Sequence, residues 1–384
     1  MIIEDIAAEL NCMVRLKQED WELLLYSALS PYAPDIEING VMQRGVMHTN
    51  MVGEISTAKS SIMRIIEKIS PKSARVSKTT NASIEGTVTP GNVIVPGVIE
   101  RANDGVLLVP EYTKKLSKLD IMRETMDGEK VRISKRAISW DFTPNVAFIA
   151  GSNPKLDFFT KGATMRQEIP FAEGILSRFD VLIPMINTPS ETEKIVNEMT
   201  FFGMEVKKVD LRKIKSKYLT LAESMRALVY HVKVKPSQAQ KLRDAYLNHN
   251  VEMGNRPRVI LRDMGSLIRL VNVITCANAV KRAGKNTYTA TAADIDKAID
   301  LWNYLINIRV QMYAMLEEKD IKDTEDLVLD IIKDADLIPN KELIAKASGI
   351  CSRRTVFRIL NRLEADGIIK RVNPDTEAAS VELV

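Results

Sequence analysis

Met51-Val52-Gly53-Glu54-Ile55-Ser56-Thr57-Ala58-Lys59-Ser60-Ser61 brings together residue types that can hold a polyphosphate. A loop running from a strand into a helix turns backbone N–H groups toward an anion, and the helix N-terminus adds its dipole. Lys59 would reach the outer phosphates, and the Ser60 hydroxyl would ligate Mg2+. Gly53, Ser56, Thr57, Ala58 and Ser61 line the rest of the loop, and this chemistry expects ATP with Mg2+. The strict pattern has glycine where Ala58 stands. Gly-x4-Ala-Lys-Ser by itself therefore fits a plain turn with a helix cap as well as it fits a phosphate loop.

Such a loop needs a strand before it and a helix after it. Residues 1–200 alternate helical and short apolar segments, and the loop opens the helix Ile62–Ile69. Val106–Val109, Val146–Ala150 and Phe179–Pro184 are continuous apolar runs, the pattern of strands buried on both faces of a parallel sheet. His48-Thr49-Asn50 is polar for such a position. From about 215 onward the sequence is helical, with apolar residues at i, i+3, i+4 spacing over 236–249, 258–283 and 291–315. Thr291-Ala292-Ala293-Asp294 resembles a capping box. Residues 313–325 are charged and read as a linker. The expected architecture is a doubly wound α/β P-loop NTPase core of the AAA+ type over 1–214, a helical lid over 215–315, and a small winged-helix (helix-turn-helix) domain over 326–384.

Taken in order, these segments resemble the minichromosome maintenance (MCM) family of AAA+ proteins. Gly53, Thr57, Ala58, Lys59 and Ser60 match the family's Gly-Asp-Pro-Gly-Thr-Ala-Lys-Ser, and Glu67-Lys68-Ile69-Ser70-Pro71 is similar to its Glu-Lys-Ile-Ala-Pro. Gly105–Glu111 resembles the Walker B strand, which implies that Glu111 polarises the attacking water, while Pro110 replaces the family's Mg2+-organising Asp. Asn153 resembles sensor 1, an amide that positions that water. Ser177-Arg178-Phe179-Asp180 resembles the arginine-finger motif, and Arg262 the sensor 2 arginine, both implied to act on a neighbouring subunit's nucleotide. The alternation at 130–142 reads as a β-hairpin with Lys135 and Arg136 near its tip. It is similar to the family's pre-sensor 1 hairpin, which implies a cationic tip gripping DNA phosphate without reading sequence. Residues 80–98 align with the family's helix-2 insert, in a short form.

Residues 340–372 read as a helix-turn-helix: a first helix over 341–348, a turn, and a second helix over 352–366 with Ser352 as N-cap. Val356, Ile359, Leu360 and Leu363 form its apolar stripe, and Arg354, Arg358 and Arg362 recur every four residues on another face, beside Arg353. DNA contact by these arginines and an ordinary solvated face both account for that pattern. Gly367–Val372 looks like the start of a wing.

Composition narrows the field. No run approaches the ~20 apolar residues of a membrane span. Met1-Ile2-Ile3-Glu4-Asp5 is not the start of a secretory signal, so a cytoplasmic, nucleoid-associated protein is expected. Cys12, Cys276 and Cys351 form no CxxC pair, against a zinc site or a disulfide framework. The net charge of +4 permits nucleic-acid binding without implying it. The resemblance implies an ATP-driven helicase or translocase for single-stranded or forked DNA, working in replication as a hexameric ring with accessory proteins. The family's N-terminal OB and zinc domain is missing from the sequence, which begins about 50 residues before the phosphate loop. Pro110 keeps a second expectation open, a degenerate protein that binds nucleotide and DNA with little hydrolysis. A third is a replication initiator or loader.

Overall fold

The computed structural model describes residues 2–38, 41–54, 57–113, 116, 120–135, 138–154, 168–169, 173–185, 209–228, 232–249, 252–253, 256–257, 261–279, 282, 289–314, 328–329, 331–333, 337–347, 353–372 and 380–383. The chain divides into two compact units, one formed by residues 1–153 and 170–310, the other by 154–169 and 311–384.

The first unit opens with helices α1 (Ile2–Asn11) and α2 (Gln18–Leu29) and a short antiparallel pair, β1 (Ile36–Ile38) and β2 (Val41–Gln43). Strand β3 (Thr49–Gly53) then leads to α3 (Lys59–Ile69), whose polar first turn extends the helix three residues before the apolar pattern begins. There follow β4 (Ser73–Arg75), α4 (Asn81–Glu85), β5 (Gly86–Val88), β6 (Ile94–Pro96), α5 (Val98–Arg101) and β7 (Gly105–Val109). Next come α6 (Asp120–Asp127), β8 (Val131–Lys135), β9 (Ile138–Phe142), β10 (Val146–Ser152), α7 (Glu173–Leu176) and β11 (Val181–Met185).

Five of these strands form one parallel sheet in the order β11-β3-β10-β7-β4. Side chains alternate between the two faces of a strand. Val106, Leu108, Ile149, Val181 and Ile183 pack with α2 and α3 into the main core, and the intervening Leu107, Val109, Phe148 and Leu182 are buried as well. Both faces are therefore covered, as the unbroken apolar runs predict. The polar start of β3 is buried with a hydrogen bond to each of three side chains, although the Asn50 amide nitrogen has no partner among the described residues. Phe148 N–H donates to His48 Nδ1 at 3.1 Å, Thr49 Oγ1 donates to Ser27 Oγ at 2.7 Å, and Ser152 Oγ donates to Asn50 Oδ1 at 2.8 Å.

The sheet is joined by α8 (Leu211–Arg226), α9 (Pro236–His249), the short pair β12 (Glu252–Met253) and β13 (Arg256–Pro257), α10 (Leu261–Ala279) and α11 (Ala292–Ala314). Helix α8 begins at its N-cap Asp210 and runs across the 214/215 division expected from the sequence. Thr291 and Asp294 exchange the two hydrogen bonds of a capping box, at 2.8 and 3.3 Å. Helix α2 packs against α1, the sheet, α8, α10 and α11, and every residue of it is buried from Asp20 onward. Its charges have distant partners: Lys297 Nζ lies 2.6 Å from Glu22, and the Tyr304 hydroxyl donates to Asp20 at 3.0 Å. Among the described residues, no helix is long and apolar enough to cross a membrane.

In the second unit, β14 (Ile338–Pro339), β15 (Ile369–Val372) and β16 (Ser380–Leu383) form an antiparallel sheet in the order β14-β16-β15. With α12 (Asn340–Ala347) and α13 (Arg353–Ala365) it surrounds a separate core. Val356, Ile359, Leu360 and Leu363 are buried in that core, as their spacing predicts.

Candidate nucleotide-binding site

The loop after β3 is shaped by close approach. A Cβ on Gly53 would lie 2.2 Å from Met185 O on β11, and Glu54 N–H donates to the same oxygen at 3.1 Å. Ala58 takes a left-handed conformation, φ 61° and ψ 6°, before α3 begins. That is why glycine is the usual residue there; an L-alanine carries about 1–2 kcal/mol of strain in this region. Lys59 folds back onto the loop. Its Nζ donates to Gly53 O at 2.7 Å, Glu54 O at 2.5 Å and Thr57 Oγ1 at 3.0 Å, and Thr57 Oγ1 in turn donates to Glu54 O at 2.7 Å. Ser60 and Ser61 are exposed on the first turn of α3. Ser56 lies outside the described residues.

Two neighbouring strands end beside this loop. A Cβ on Gly151 of β10 would lie 2.8 Å from Pro110 O and 3.6 Å from Lys59 Cδ. The lysine stem, the end of β7 and the end of β10 therefore meet there. Glu111 is exposed just past β7, and the next residue is pinned by Tyr112 N–H donating to Gly151 O at 2.7 Å. Asn153 follows directly on β10, whose Ser152 is in register with Val52. Lys59, Glu111 and Asn153 thus gather at the carboxyl ends of three adjacent parallel strands, the edge where open α/β sheets bind ligands.

Arg178 lies at the other end of the sheet. It stands three residues before Val181, which pairs with Thr49 at the start of β3. Here a cavity of about 140 Å3 is lined by Arg44, His48, Met126, Asp127, Ser177, Arg178, Asp180 and Arg269, among others. Of this group, the sequence gives a chemical role to Arg178 alone. Asp127 binds Arg178 in bidentate fashion, with Nε to Oδ1 at 3.0 Å and a terminal nitrogen to Oδ2 at 2.6 Å. Asp180 accepts from Arg269 at 2.6 Å, Ser266 Oγ at 2.7 Å and His48 N–H at 2.9 Å. Burial would raise its carboxyl, but Arg269 and these hydrogen bonds hold it below the usual range. Burial and the neighbouring Arg269 push Arg44 down to about 10. The spacing of these residues, over more than two hundred positions, carries no local pattern that reveals the cluster.

His48 is fully enclosed, and burial together with Arg44 drives its imidazole well below its ordinary value. The unfolded chain takes up a proton at this position below about pH 6.5, whereas the folded chain does not. The His48 contribution is therefore intact above pH 6.5 and lost as the pH falls, by about 1 kcal/mol at pH 5.5. Asp20, raised to about 6 by burial, works in the opposite sense over the same interval. The informative quantity is the difference between native protein and His48→Gln. Urea denaturation should show the variant gaining about 1 kcal/mol on the native chain between pH 7.5 and 5.5; a constant difference would mean that His48 titrates alike in the folded and unfolded chain.

Strands β8 and β9 form the hairpin expected from the alternation, in register from Val131↔Phe142 to Lys135↔Ile138. Lys135 does not stand free at its end. Its ammonium pairs with Glu85, the last residue of α4, and both side chains are mostly shielded from solvent. The charge is drawn there because a partly desolvated lysine gains more from a carboxylate than from water. Trp140 Nε1 donates to Glu100 at 3.2 Å, tying the second strand to α5. Arg136 lies outside the described residues, as do the side chains of Arg262, in the first turn of α10, and of Arg353, Arg354 and Arg358 on α13.

A family model described as the MCM P-loop domain matches residues 1–200, more than half of the chain. The chain belongs to the MCM family. Its core is accordingly an α/β P-loop NTPase domain, built on the parallel sheet described above. Among curated MCM relatives, it is 27% identical to an uncharacterized MCM-type protein of Methanocaldococcus jannaschii, over 40% of this chain and 21% of that protein. It is 24% identical to the zygotic DNA replication licensing factor mcm6 of Xenopus tropicalis, over 62% of this chain and 30% of the relative. Identity to the DNA helicase MCM8 of Xenopus laevis is also 24%, over 50% of this chain and 24% of the relative. The matched region thus spans less than a third of each of these relatives' own lengths.

Proposed function

We propose that this MCM-family chain is an ATP-dependent DNA helicase or translocase acting in replication as a hexameric AAA+ ring, with each ATP site shared between neighbours. The observation that carries this is the division of the chemical groups between the two ends of one sheet. Lys59, Glu111 and Asn153 gather at the carboxyl ends of β3, β7 and β10, whereas Arg178 stands at the amino end of β11. Four residue steps of β3 separate the two ends, about 13 Å. An arginine so placed serves a second copy of the chain better than its own phosphate loop.

The loop suits a nucleotide. Lys59 is held by three oxygens that it can exchange for phosphate oxygens, and the exposed Ser60 hydroxyl suits Mg2+. When bound, ATP supplies the phosphoryl group and Mg2+ neutralises its charge. Glu111 then polarises the attacking water and Asn153 orients it, while Arg178 and Arg262 come from the neighbour. Helices α8–α11 act as the AAA+ lid, and the second unit as a winged helix whose Arg353, Arg354 and Arg358 contact DNA. The domain assignment is a core over 1–214, a lid over 215–315 and a winged helix over 326–384. The β8–β9 hairpin, with Lys135 and Arg136, grips the DNA backbone once Lys135 leaves Glu85, and it favours a motor over an initiator or loader.

Pro110 supports a second reading, nucleotide binding without turnover, since it leaves β7 without a second carboxylate beside Glu111. ATP hydrolysis with and without single-stranded DNA separates the two in native protein, Lys59→Ala and Pro110→Asp. A motor shows DNA-stimulated turnover that Lys59→Ala abolishes. No turnover in the native chain, restored by Pro110→Asp, would establish the degenerate site instead.

A further inference from the structure

Helix α6 ends on an acid, Asp127. A carboxylate at a helix C-terminus faces the negative end of the dipole, so the helix itself gives no reason for it. The adjoining carbonyls of Thr125 and Met126 accept from Arg44, which caps that end. Gly128 then turns the chain at φ 73°, and a Cβ there would lie 2.7 Å from Arg44 Cδ. Strand β8 of the hairpin begins at Val131. Asp127 therefore stands between the hairpin and the arginine it binds. The Arg178–Asp127 pair is about one-fifth exposed on either side, at 19% and 25%, and two of its hydrogen bonds run in parallel. A solvated surface pair holds neither partner in one orientation; a shielded bidentate one does.

We propose that Asp127 is a positioning residue for Arg178: it fixes the guanidinium at the rim of the cavity and links it to the β8–β9 hairpin, so that DNA on the hairpin of one subunit governs hydrolysis in the next. This rests on the reading of Arg178 as the arginine of a shared site. Displacing such a group by about an ångström lowers turnover by up to roughly 100-fold. Replacing Asp127 by a neutral residue removes an unfavourable charge–dipole contact from α6, so the helix is not weakened.

Subunit mixing tests it. Lys59→Ala, Arg178→Ala, Asp127→Asn and Asp127→Glu are assayed alone and in pairs for ATP hydrolysis with and without single-stranded DNA, with a thermal melt of each. Asp127→Asn is expected to lower kcat by about 10- to 100-fold at unchanged KM for ATP and to lose DNA stimulation, with Asp127→Glu restoring most of both. Mixed with Lys59→Ala, it should regain turnover, because one variant keeps its phosphate loop and the other keeps its arginine. Asp127→Ser is judged by the same criteria if Asp127→Asn does not melt cooperatively. Native turnover and DNA stimulation in the Asp127 variants, while Arg178→Ala with Lys59→Ala regains activity, would overturn the role of Asp127 and leave the shared site standing. No regained activity in that last pair would remove the shared site, and the role of Asp127 with it.

Discussion

Asp180→Ala is expected to destabilise the protein by about 3–5 kcal/mol, the cost typical of removing one partner from a buried ion pair. The carboxylate is buried, and its oxygens accept from Arg269, Ser266 and the His48 backbone. Two of these donors lie on α10, so Asp180 ties that helix to the start of β11. Next to it, Arg309 of α11 pairs with Asp263 and donates to Phe179 O at 2.9 Å, a second tie between helices and sheet. Without Asp180, Arg269 and Arg44 would share a cavity in which Asp127, already on Arg178, is the remaining lining carboxylate. Coulomb repulsion and lost hydrogen bonds then act together. The control is Lys241→Ala. Lys241 pairs with Asp296 where both side chains are about half exposed, and such a pair contributes at most about 1 kcal/mol. Urea midpoints of the two variants measure the contrast. Equal shifts would mean that the cluster around Asp180 is solvated in solution and holds nothing together.

The sheet was legible in the sequence where burial leaves a local trace. Val106–Val109 and Val146–Ala150 are unbroken apolar runs, and both became strands covered on each face. The hairpin was legible because a half-exposed ribbon alternates, as Val131, Ile133 and their exposed neighbours do. The P-loop domain was legible because several weak motifs follow one another in the family's order. What stayed hidden depends on contacts between distant positions. Nothing local to Asp20 and Glu22 in the sequence shows that Tyr304 and Lys297 meet them. Arg44, His48, Asp127, Asp180 and Arg269 are scattered polar residues in sequence. They become one site only because the strand order sets the starts of β3, β10 and β11 side by side, with α10 against them. Lys135 was identified, but Glu85 fifty residues earlier was not, so the pairing of the hairpin end came from the structure alone.

Gly53→Ala is expected to damage the phosphate loop far more than its single methyl suggests. The added Cβ would lie 2.2 Å from Met185 O and 2.5 Å from Met185 Cβ, and the backbone oxygen cannot swing aside as a side chain would. Gly53 and Met185 are directly in register, so β11 has to move off β3. That movement breaks the Glu54 N–H bond to Met185 O and displaces the Gly53 and Glu54 carbonyls that hold Lys59. Overpacking of this kind costs about 1–3 kcal/mol in stability. A lysine misplaced by about an ångström should also lower affinity for a fluorescent ATP analogue at least tenfold, roughly 1.4 kcal/mol. Gly91→Ala is the matched control, since a Cβ there meets nothing within 4 Å, and a substitution so exposed stays within about 0.5 kcal/mol. A lowered melting temperature with native nucleotide affinity would show that the Lys59 cradle does not depend on the packing of β11. Loss of affinity in Gly53→Ala alone would place the sheet edge in control of the nucleotide loop, since the three atoms nearest that methyl all belong to Met185 of β11.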